Sequence, residues 1–510
     1  MTPINPATAC AGEEEARAAL AAGKPALVWR RQIADTETPV AAALKLIEPG
    51  RGDFLLESVE GGAIRGRHSL IGLAPDLVFR ADGKSAAINR HWQTDREAFV
   101  PSGKPTLETL RQLVADCRMH VPKELPRALA CLVGYFGYQT IELVERLPRP
   151  AADPLGLPDM MFVRPTTILI FDRLADMLHI VAPVWPDSGS DPAAIVEQAR
   201  DRIDAVAAKL EQAPLPTPAR LSDPVEVTLE PSLAPGRYGE MVARAKDYIV
   251  AGDIFQVVLA QRFTAPFPLP PFELYRALRR INPSPFLYHL DLPGFSLTGS
   301  SPEILVRVRD GEVTIRPIAG TRPRGKSESE DDANRLSLLA DPKERAEHLM
   351  LLDLGRNDAG RVARPGSVRV TDSYGVEFYS HVMHIVSNVV GRLDPEKDAL
   401  DALFAGFPAG TVSGAPKVRA CEIIAELEGE VRGAYAGGVG YFSPDGSMDS
   451  CIVLRTAVVK DGIMHVQAGA GIVADSDPAY EQRECEAKAG ALLAAAREAI
   501  ALAASPAFGQ

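Results

Sequence analysis

Two acidic pairs stand at helical spacing in the second half of the 510-residue chain. Glu344 and Glu347 lie in "ERAEHLMLLDLGRND". Glu481 and Glu484 lie in "YEQRECEAKAG", with Lys488 four residues further on. This spacing puts each pair on one face of a helix. One glutamate from each helix would suit Mg²⁺, which takes few protein carboxylates, although the spacing alone fits a solvated charged face better.

A histidine and an arginine lie within apolar runs, and glycines crowd a nearby turn. His384 in "SHVMHIVSNVV" is most simply a core histidine, and it becomes a candidate base only if the acidic pairs converge on it. Arg455 in "CIVLRTAVV" requires a carboxylate or an anionic ligand as its partner. Gly469 and Gly471 in "QAGAGIVADSDP" would let backbone N–H groups approach a carboxylate, or simply form a sheet turn.

The elements that must position these residues are short strands with helices between some of them. Runs such as "DFLLESVEG" and "TTILIFDRLADMLHIVAPV" alternate with turn signals, which predicts an α+β fold with large antiparallel sheets. We predict a tail or first helix over residues 1–25, a sheet-rich region over 26–235, and a region over 236–510 that carries most of the chemically suggestive residues. The Pro-rich "APLPTPARLSDP" precedes the last boundary.

Composition excludes several classes of function. A net charge of −12 disfavours a nucleic-acid footprint or binding to an anionic membrane surface. The six cysteines form no C-x-x-C pair, which indicates reduced thiols in a cytoplasmic protein. No run of about 18 apolar residues and no export signal is visible. We therefore expect a cytoplasmic protein without nucleic-acid or membrane partners.

Thirteen segments spread over nearly the whole chain carry a resemblance to a known family. They are "LLESVEGG", "GRHSLIG", "GYFGY", "AGDIFQVVLAQRF", "NPSPFLYHL", "SPEILV", "RPIAGTRPRG", "AEHLMLLDLGRND", "HVMHIVS", "FPAGTVSGAPKVRA", "GGVGYF", "IVLRTA" and "AGAGIVADSDPAYEQRECEAKA". Together they resemble the chorismate-utilising enzymes, most closely the component I chains of anthranilate synthases. The resemblance implies a sandwich-like core of two orthogonal antiparallel sheets, with helices outside and an active site in a cleft.

The same resemblance implies an Mg²⁺-dependent reaction on chorismate and a role for each matching residue. Glu347 and Glu484 would bind Mg²⁺, with Glu344 and Glu481 as supporting carboxylates. Glu303 would be the general acid and His384 the base for the C2 proton. The other residues expected around the substrate are Thr411, Gly320, Thr321, Tyr435, Arg455, Gly469, Ala470, Gly471 and Lys488, with Arg455 facing the enolpyruvyl carboxylate.

Two positions indicate which nucleophile attacks chorismate. Ala319 in "PIAGT" stands where aminodeoxychorismate synthases resemble "PIKGT" and use the lysine amine as a nucleophile. Gln256 stands where isochorismate- and salicylate-forming relatives carry a lysine base that activates water. Neither residue of this chain does that chemistry. The resemblance therefore implies attack by ammonia, aminodeoxyisochorismate as intermediate, and anthranilate and pyruvate as products.

The resemblance also implies a partner and an inhibitor. No region like a glutamine amidotransferase is visible, so ammonia is expected from a separate amidotransferase subunit. Ser58, Pro285, Phe286 and Leu287 match the feedback site for tryptophan, the less favoured alternative being that both segments only bridge the sheets. Two alternatives remain: an aminodeoxychorismate synthase-like enzyme without the lysine, and a catalytically silent tryptophan-binding subunit.

Overall fold

The computed structural model describes residues 10–60, 64–187, 189–216, 219–221, 225–379 and 382–504. The first nine residues of the predicted N-terminal tail lie outside these ranges. So do Gly61 and Gly62 of the "LLESVEGG" segment and His381 of "HVMHIVS". Within the described residues, all six cysteines are free thiols. No helix in these ranges has both the length and the apolarity needed to cross a membrane.

The strands are short and are distributed along the entire described chain. In chain order they are β1 (Ala26–Ile33), β2 (Asp53–Glu60), β3 (Ile64–Leu73), β4 (Leu77–Asp82), β5 (Ser85–Asn89), β6 (Val100–Pro101), β7 (Leu132–Phe136), β8 (Met160–Arg164), β9 (Thr167–Asp172), β10 (Met177–Val184), β11 (Glu230–Pro231), β12 (Gln256–Pro266), β13 (Phe286–Leu292), β14 (Phe295–Ser301), β15 (Ile304–Arg309), β16 (Glu312–Ile315), β17 (Ile318–Pro323), β18 (Arg369–Phe378), β19 (Val382–Arg392), β20 (Gly414–Ala415), β21 (Gly438–Phe442), β22 (Met448–Ile452), β23 (Thr456–Lys460) and β24 (Ile463–Ile472).

These strands form two sheets of twelve. The first sheet has the order β1-β10-β9-β3-β2-β13-β14-β23-β24-β12-β11, with β20 paired to β12. The second has the order β17-β19-β16-β15-β22-β21-β7-β8-β4-β5-β6, with β18 paired to β19. The pairs within both sheets are antiparallel, as between β12 and β24 or β17 and β19. The prediction of an α+β fold with two large antiparallel sheets is confirmed.

The helices follow in chain order and pack outside the sheets. They are α1 (Glu13–Ala21), α2 (Pro39–Leu46), α3 (Thr106–Asp116), α4 (Pro192–Gln212), α5 (Arg237–Val250), α6 (Pro271–Ile281), α7 (Glu328–Ala340), α8 (Pro342–Gly360), α9 (Ala399–Gly406), α10 (Lys417–Glu428) and α11 (Pro478–Ala504), with 3₁₀ turns at Tyr138–Leu143 and Gly410–Val412. Several begin at a sequence-encoded cap: Asp398 and Asp401 form a capping box at α9.

Strand β10 shows why the sheets need cover on both faces. All eight of its residues are buried. Because successive side chains point to opposite faces, Val181 joins the core between the two sheets, while Ile180 and Ala182 pack with Val196 and Ile203 of α4. Such a strand reads as a continuous apolar run rather than an alternating one.

Both sheets combine strands from before and after residue 235. In the first sheet β2 pairs with β13, and in the second sheet β7 pairs with β21. The hydrogen-bond ladders therefore cross the boundary placed between the sheet-rich region and the later region. That division of the chain stays a prediction about sequence, while the sheets themselves are continuous across it.

Gly134 in β7 offers a test of how tightly the second sheet is packed. A methyl group at this position would lie 2.0 Å from the Met161 carbonyl oxygen. We expect Gly134→Ala to lower the free energy of unfolding by about 1–3 kcal/mol or more, because the backbone must shift. Gly490→Ala is the matched control: it lies within α11, its added methyl group meets nothing within 4 Å, and it should stabilise by about 0.5–1 kcal/mol. Equal urea midpoints for the two variants would contradict this packing.

Candidate functional site

Two of the predicted site residues lie where the chain passes from one sheet to the other. Glu303 follows β14 of the first sheet and precedes β15 of the second. Arg455 lies between β22 of the second sheet and β23 of the first. Two backbone hydrogen bonds join these two connections between the sheets. The Ile452 N–H donates to the Glu303 carbonyl at 3.0 Å, and the Ser300 N–H donates to the Arg455 carbonyl at 3.1 Å. The fold thus brings a carboxyl group and a guanidinium to one junction.

Glu303 is a buried acid with a single side-chain partner that the structure describes. The Thr411 hydroxyl donates to its Oε1 at 3.0 Å. Burial raises the pKa of Glu303 to about 8, and the hydrogen bond from Thr411 only partly opposes this rise. The carboxyl group is therefore protonated at neutral pH. This is the state that a general acid needs before it acts.

A β-bulge shapes the turn that contains Ala319. Strand β17 carries one more residue than β19 between the pairs Ala319–Ile385 and Arg322–Met383. Gly320 in the bulge has φ of +68°, a region that favours glycine. An added Cβ there would also lie 3.0 Å from Glu344 Oε2. The glycine is required by both the backbone and the neighbouring carboxylate.

His384 lies on β19 opposite the bulge. Its Nδ1 is 2.9 Å from the Gly320 carbonyl, which can only accept, so Nδ1–H donates and Nε2 keeps its lone pair. The Thr321 hydroxyl lies 3.2 Å from the same Nδ1. Burial, together with the nearby cations Arg455 and Lys488, lowers the pKa of His384 to about 4. The imidazole is neutral at physiological pH, as a base must be.

Arg455 reaches the site without a carboxylate partner in the described residues. Its backbone has φ of +48°, an uncommon conformation for a residue with a side chain. Burial lowers the pKa of its guanidinium, and the nearby Tyr379 is the one group that raises it. The sequence left open that a carboxylate of the protein itself pairs with Arg455. No such carboxylate contacts it in the described part of the chain. A partly buried, unpaired arginine in a strained backbone fits an anionic ligand.

The predicted metal-binding glutamates lie on two helices, Glu347 on α8 and Glu484 on α11, and the charge of Glu484 acts on Glu347. Asp341 caps α8 by accepting from the Lys343 and Glu344 backbone, which fixes the face on which Glu347 lies. Burial raises the pKa of Glu347, and the carboxylates Glu344 and Glu484 raise it further. Mutual repulsion of this kind marks a place where a cation would be favoured.

Hard oxygen donors at this place fit Mg²⁺. No cluster of three or more His, Cys, Asp or Glu side chains is arranged for a metal in the residues that the structure describes. Mg²⁺ does not require one, since it commonly takes one or two carboxylates together with water and substrate oxygens. Glu347 of α8 and Glu484 of α11 match that requirement. Glu344 is already held by the Arg322 guanidinium at 2.9 Å, which suits its supporting role.

Strand β24 and its neighbours form another wall of the site. A methyl group on Gly469 would lie 2.8 Å from the Tyr435 hydroxyl, and one on Gly471 would lie 2.6 Å from Gln256 Nε2. Both side chains therefore lie directly over glycine backbone, with Ala470 buried between the two glycines. Lys488 of α11 donates to the Gly469 carbonyl at 2.8 Å and contacts Glu484 Oε1 at 2.7 Å. Lys488 therefore joins β24 to α11, the helix that carries Glu484.

Ala319 and Gln256 carry no ionisable group into this site. Ala319 is buried on β17. Gln256 is buried at the start of β12, and its Oε1 accepts no hydrogen bond from the described residues. An uncharged amide with a free acceptor oxygen can bind a small donor but cannot deprotonate it.

The residues matched to a tryptophan site lie elsewhere, on paired strands of the first sheet. Phe286 of β13 is the register partner of Ser58 on β2, and Leu287 is the partner of Glu57. Pro285 directly precedes β13. Burial acts to raise the pKa of Glu57, but hydrogen bonds from Arg279 and its neighbours hold that pKa below the usual value. The four residues are thus close together, and their role in binding tryptophan stays a prediction.

Sequence reasoning missed one aromatic residue and two polar pairs that support the site. The Tyr379 ring meets His384 edge-on at 5.3 Å. The His348–Ser387 hydrogen bond, at 2.6 Å, ties α8 to β19, and a buried Lys417–Asp358 ion pair, at 3.0 Å, ties α10 to α8. Nothing local in the sequence marks these residues, because their partners are distant along the chain.

Comparisons with known proteins agree with this geometry. A sequence profile of the chorismate binding enzymes matches residues 54–494. Anthranilate synthase component 1 of Cereibacter sphaeroides is 52% identical over 479 residues, which cover 94% of this chain and 96% of that protein. The component 1 protein of Thermus thermophilus is 47% identical over 92% of this chain and 97% of its own.

Solved structures show the same architecture. The crystal structure of anthranilate synthase component I from Streptococcus pneumoniae superposes with a TM-score of 0.73 at 36% identity, over 84% of this chain and 92% of that one. The menaquinone-specific isochorismate synthase of Escherichia coli gives a TM-score of 0.70 at 18% identity, over 93% and 95% of the two chains. The second similarity concerns the fold alone.

Burial of Glu303 predicts a stability that depends on pH. Since its pKa is about 8 in the folded chain and 4.5 ordinarily, the native protein keeps a proton that the unfolded chain loses across this window. The free energy of unfolding should fall as pH rises from 4.5 towards 8, by up to about 1.4 kcal/mol per pH unit. Glu303→Gln is always neutral, so it should gain stability over the wild type as the pH rises.

Urea unfolding of both proteins at about pH 5 and about pH 8 measures this difference. Glu240→Gln, which changes an exposed carboxylate of α5, serves as the control and should follow the wild type. If Glu303→Gln also follows the wild type at both values, the carboxyl group is not held protonated by burial.

Proposed function

Because the chain belongs to the chorismate binding enzymes, we propose that it makes anthranilate and pyruvate from chorismate and ammonia. The observation that carries this proposal is the pair Ala319 and Gln256, which offer neither an amine nucleophile nor a base for water. Ammonia is then the remaining nucleophile for C2. Component 1 relatives at up to 52% identity over 94% of the chain support the same assignment.

In the first step, the buried Glu303 is the acid. Ammonia adds at C2 of the ring while the C4 hydroxyl leaves, and the Glu303 proton converts the departing hydroxyl to water. The nitrogen then loses its extra proton to solvent, and Glu303 regains one. Thr411 keeps the carboxyl group oriented through its hydrogen bond to Oε1. Arg455 supplies positive charge to the enolpyruvyl carboxylate, and the product is aminodeoxyisochorismate.

In the second step, His384 is the base. Its Nδ1–H is fixed on the Gly320 carbonyl, so Nε2 takes the C2 proton. The electron pair of the C2–H bond forms the last ring double bond as the C3–O bond breaks, so the ring becomes aromatic. The side chain leaves as the enolate of pyruvate, which takes a proton on its methylene carbon to give pyruvate. A neutral imidazole suits this step, because it accepts a proton without first losing one.

Glu347 and Glu484 would hold Mg²⁺. When bound, the ion supplies positive charge that neutralises the ring carboxylate of chorismate. Lys488, Tyr435, Thr321 and the backbone of the Gly469–Gly471 strand would surround the rest of the substrate. These roles remain proposals, which the arrangement of two hard carboxylates and one lysine supports.

Ammonia is proposed to come from a separate glutamine amidotransferase subunit. The naming of the relatives as component 1 indicates a second component in those proteins. The free thiols of all six cysteines suit a cytoplasmic enzyme.

Anthranilate fluorescence tests the proposal directly. The purified chain is incubated with chorismate, MgCl₂ and excess ammonium salt near pH 8, and pyruvate is measured in parallel. Equal amounts of anthranilate and pyruvate are expected. A product aminated at C4 would instead identify an aminodeoxychorismate synthase-like enzyme, and an inactive chain that binds tryptophan would identify a silent regulatory subunit.

Tryptophan is proposed to inhibit through Ser58 and the Pro285–Leu287 segment. Support comes from a contact between β13 and the substrate site: the Tyr288 and Thr456 hydroxyls lie 2.6 Å apart, and Thr456 follows Arg455. Cys451, in the core between the sheets, is packed in the same cluster as Tyr288. A shift of β13 on tryptophan binding would reach Arg455 through these residues.

Removal of either metal-binding carboxylate should abolish turnover. Glu347→Gln and Glu484→Gln each replace a hard anionic ligand with a neutral amide, and we expect kcat to fall by roughly two orders of magnitude or more. EDTA should stop the wild type, and added Mg²⁺ should restore it. Undiminished activity of both variants in the presence of EDTA would remove the metal from the proposal.

Ser58→Arg should separate inhibition from catalysis. The larger side chain fills the space beside Phe286, so anthranilate formation should continue while tryptophan no longer inhibits. In the wild type, tryptophan should weaken chorismate binding, and chorismate should weaken tryptophan binding by the same factor. If Ser58→Arg remains as sensitive as the wild type, the tryptophan site lies elsewhere.

A further inference from the structure

We propose that the buried pair Arg432 and Glu428 positions the acid Glu303 and two walls of the substrate cleft. This inference rests on the proposed function, and it assigns to Arg432 a role in the reaction without contact with the substrate. Glu428 is the last residue of α10, and Arg432 lies four residues further along the chain. Its side chain is 1% exposed and that of Glu428 is 3% exposed.

The guanidinium of Arg432 joins three separate elements. Nε donates to Glu428 Oε2 at 2.8 Å, and one terminal nitrogen donates to the Val412 carbonyl at 2.7 Å. The other terminal nitrogen donates both to the Val258 carbonyl at 2.7 Å and to Glu428 Oε1. The same Glu428 oxygen accepts the Ala260 N–H at 2.8 Å. One ion pair thereby fixes the 3₁₀ turn Gly410–Val412 and strand β12 relative to α10.

Each of these contacts lies beside a proposed site residue. Val412 follows Thr411, the residue that donates to Glu303. Val258 and Ala260 are the register partners of Gly471 and Gly469 on β24. A displacement of the guanidinium would therefore move the hydroxyl that orients the acid and the strand that backs the glycines.

Aromatic rings hold the guanidinium in place on its remaining sides. Its central carbon lies 4.7 Å from the Tyr138 ring centroid and 5.5 Å from that of Tyr435. Burial opposes the charge of Arg432, but Glu428 keeps the pKa of the guanidinium raised, so Arg432 stays charged. Tyr435 is itself a proposed substrate contact, which makes it a third site residue that depends on Arg432.

Lysine cannot reproduce this arrangement. An ammonium group keeps the positive charge but lacks the planar fork that reaches two carbonyls and both carboxylate oxygens at once. Arg432→Lys therefore removes the geometry and retains the charge. Glu428→Gln is a second route to the same effect, because the amide nitrogen would face Arg432 Nε, donor against donor.

The experiment measures turnover of chorismate with ammonium and Mg²⁺ for the wild type, Arg432→Lys, Thr411→Val and the double variant. We expect Arg432→Lys to lose roughly 100-fold in kcat with a smaller change in KM, since the acid acts in the transition state. The double variant should lose less than the product of the two single losses, because both changes disturb the same hydrogen bond to Glu303, although Arg432→Lys also disturbs β12 and Tyr435. The hydrogen bond from Thr411 favours the charged form of Glu303, so its loss should raise the pKa of Glu303. In both single variants, the pH above which activity falls should therefore be higher than in the wild type.

Arg164→Lys is the matched control. Arg164 is 11% exposed and bidentate to Asp76 at 2.8 Å, and it contacts none of the proposed site residues. It should lose stability without loss of kcat. If Arg432→Lys does not fold, Glu428→Gln is used in the same cycle with the same expected result.

Three outcomes overturn the inference. Arg432→Lys and Glu428→Gln could lower only the melting temperature and keep the wild-type kcat and pH profile, which would make the pair purely structural. The losses from Arg432→Lys and Thr411→Val could multiply, which would show that they act independently. If the wild type and Arg164→Lys make no anthranilate, the proposed function itself fails and the inference fails with it.

Discussion

The ion pair between Arg432 and Glu428 is the interaction on which the site depends most. A charged pair with almost no exposed surface is costly to bury, and it is tolerated only when every donor and acceptor is satisfied. Here the remaining donors are satisfied by carbonyl groups of β12 and of the turn that carries Thr411. The requirement to satisfy one arginine therefore determines the relative position of elements that are far apart in the sequence.

The chemistry is concentrated where the chain leaves one sheet and enters the other. At such a junction the backbone cannot follow a regular strand, and Arg455 with φ of +48° shows it. The Gly320 bulge is a second irregularity, within the β17–β19 ladder of the second sheet. Burial then places Glu303 and His384 in opposite protonation states at neutral pH, with the acid protonated and the base neutral. Opposite pKa shifts from one cause give the site an acid and a base.

Much of the local structure was predictable from the sequence. The runs "DFLLESVEG" and "TTILIFDRLADMLHIVAPV", predicted to form strands, contain β2, β9 and β10. The prediction that Glu347 and Glu484 lie on helices is confirmed, and so is the expectation of two antiparallel sheets. The apolar run with His384 is strand β19. Arg432, Tyr379 and Asp358 could not be predicted as parts of the site, because each acquires its partners only when distant segments meet. The role of each site residue remains a prediction that mutagenesis must test.

The central claim is that Glu303 is the acid of the first step and His384 the base of the second. His384→Ala tests it most directly. The variant is mixed with chorismate, ammonium and Mg²⁺, and the products are analysed by mass spectrometry alongside pyruvate release. We expect an aminated, non-aromatic compound to accumulate with little pyruvate, and wild-type enzyme added afterwards to convert it to anthranilate. A variant that consumes no chorismate, or one that forms anthranilate at the wild-type rate, would contradict the assignment of His384 to the second step.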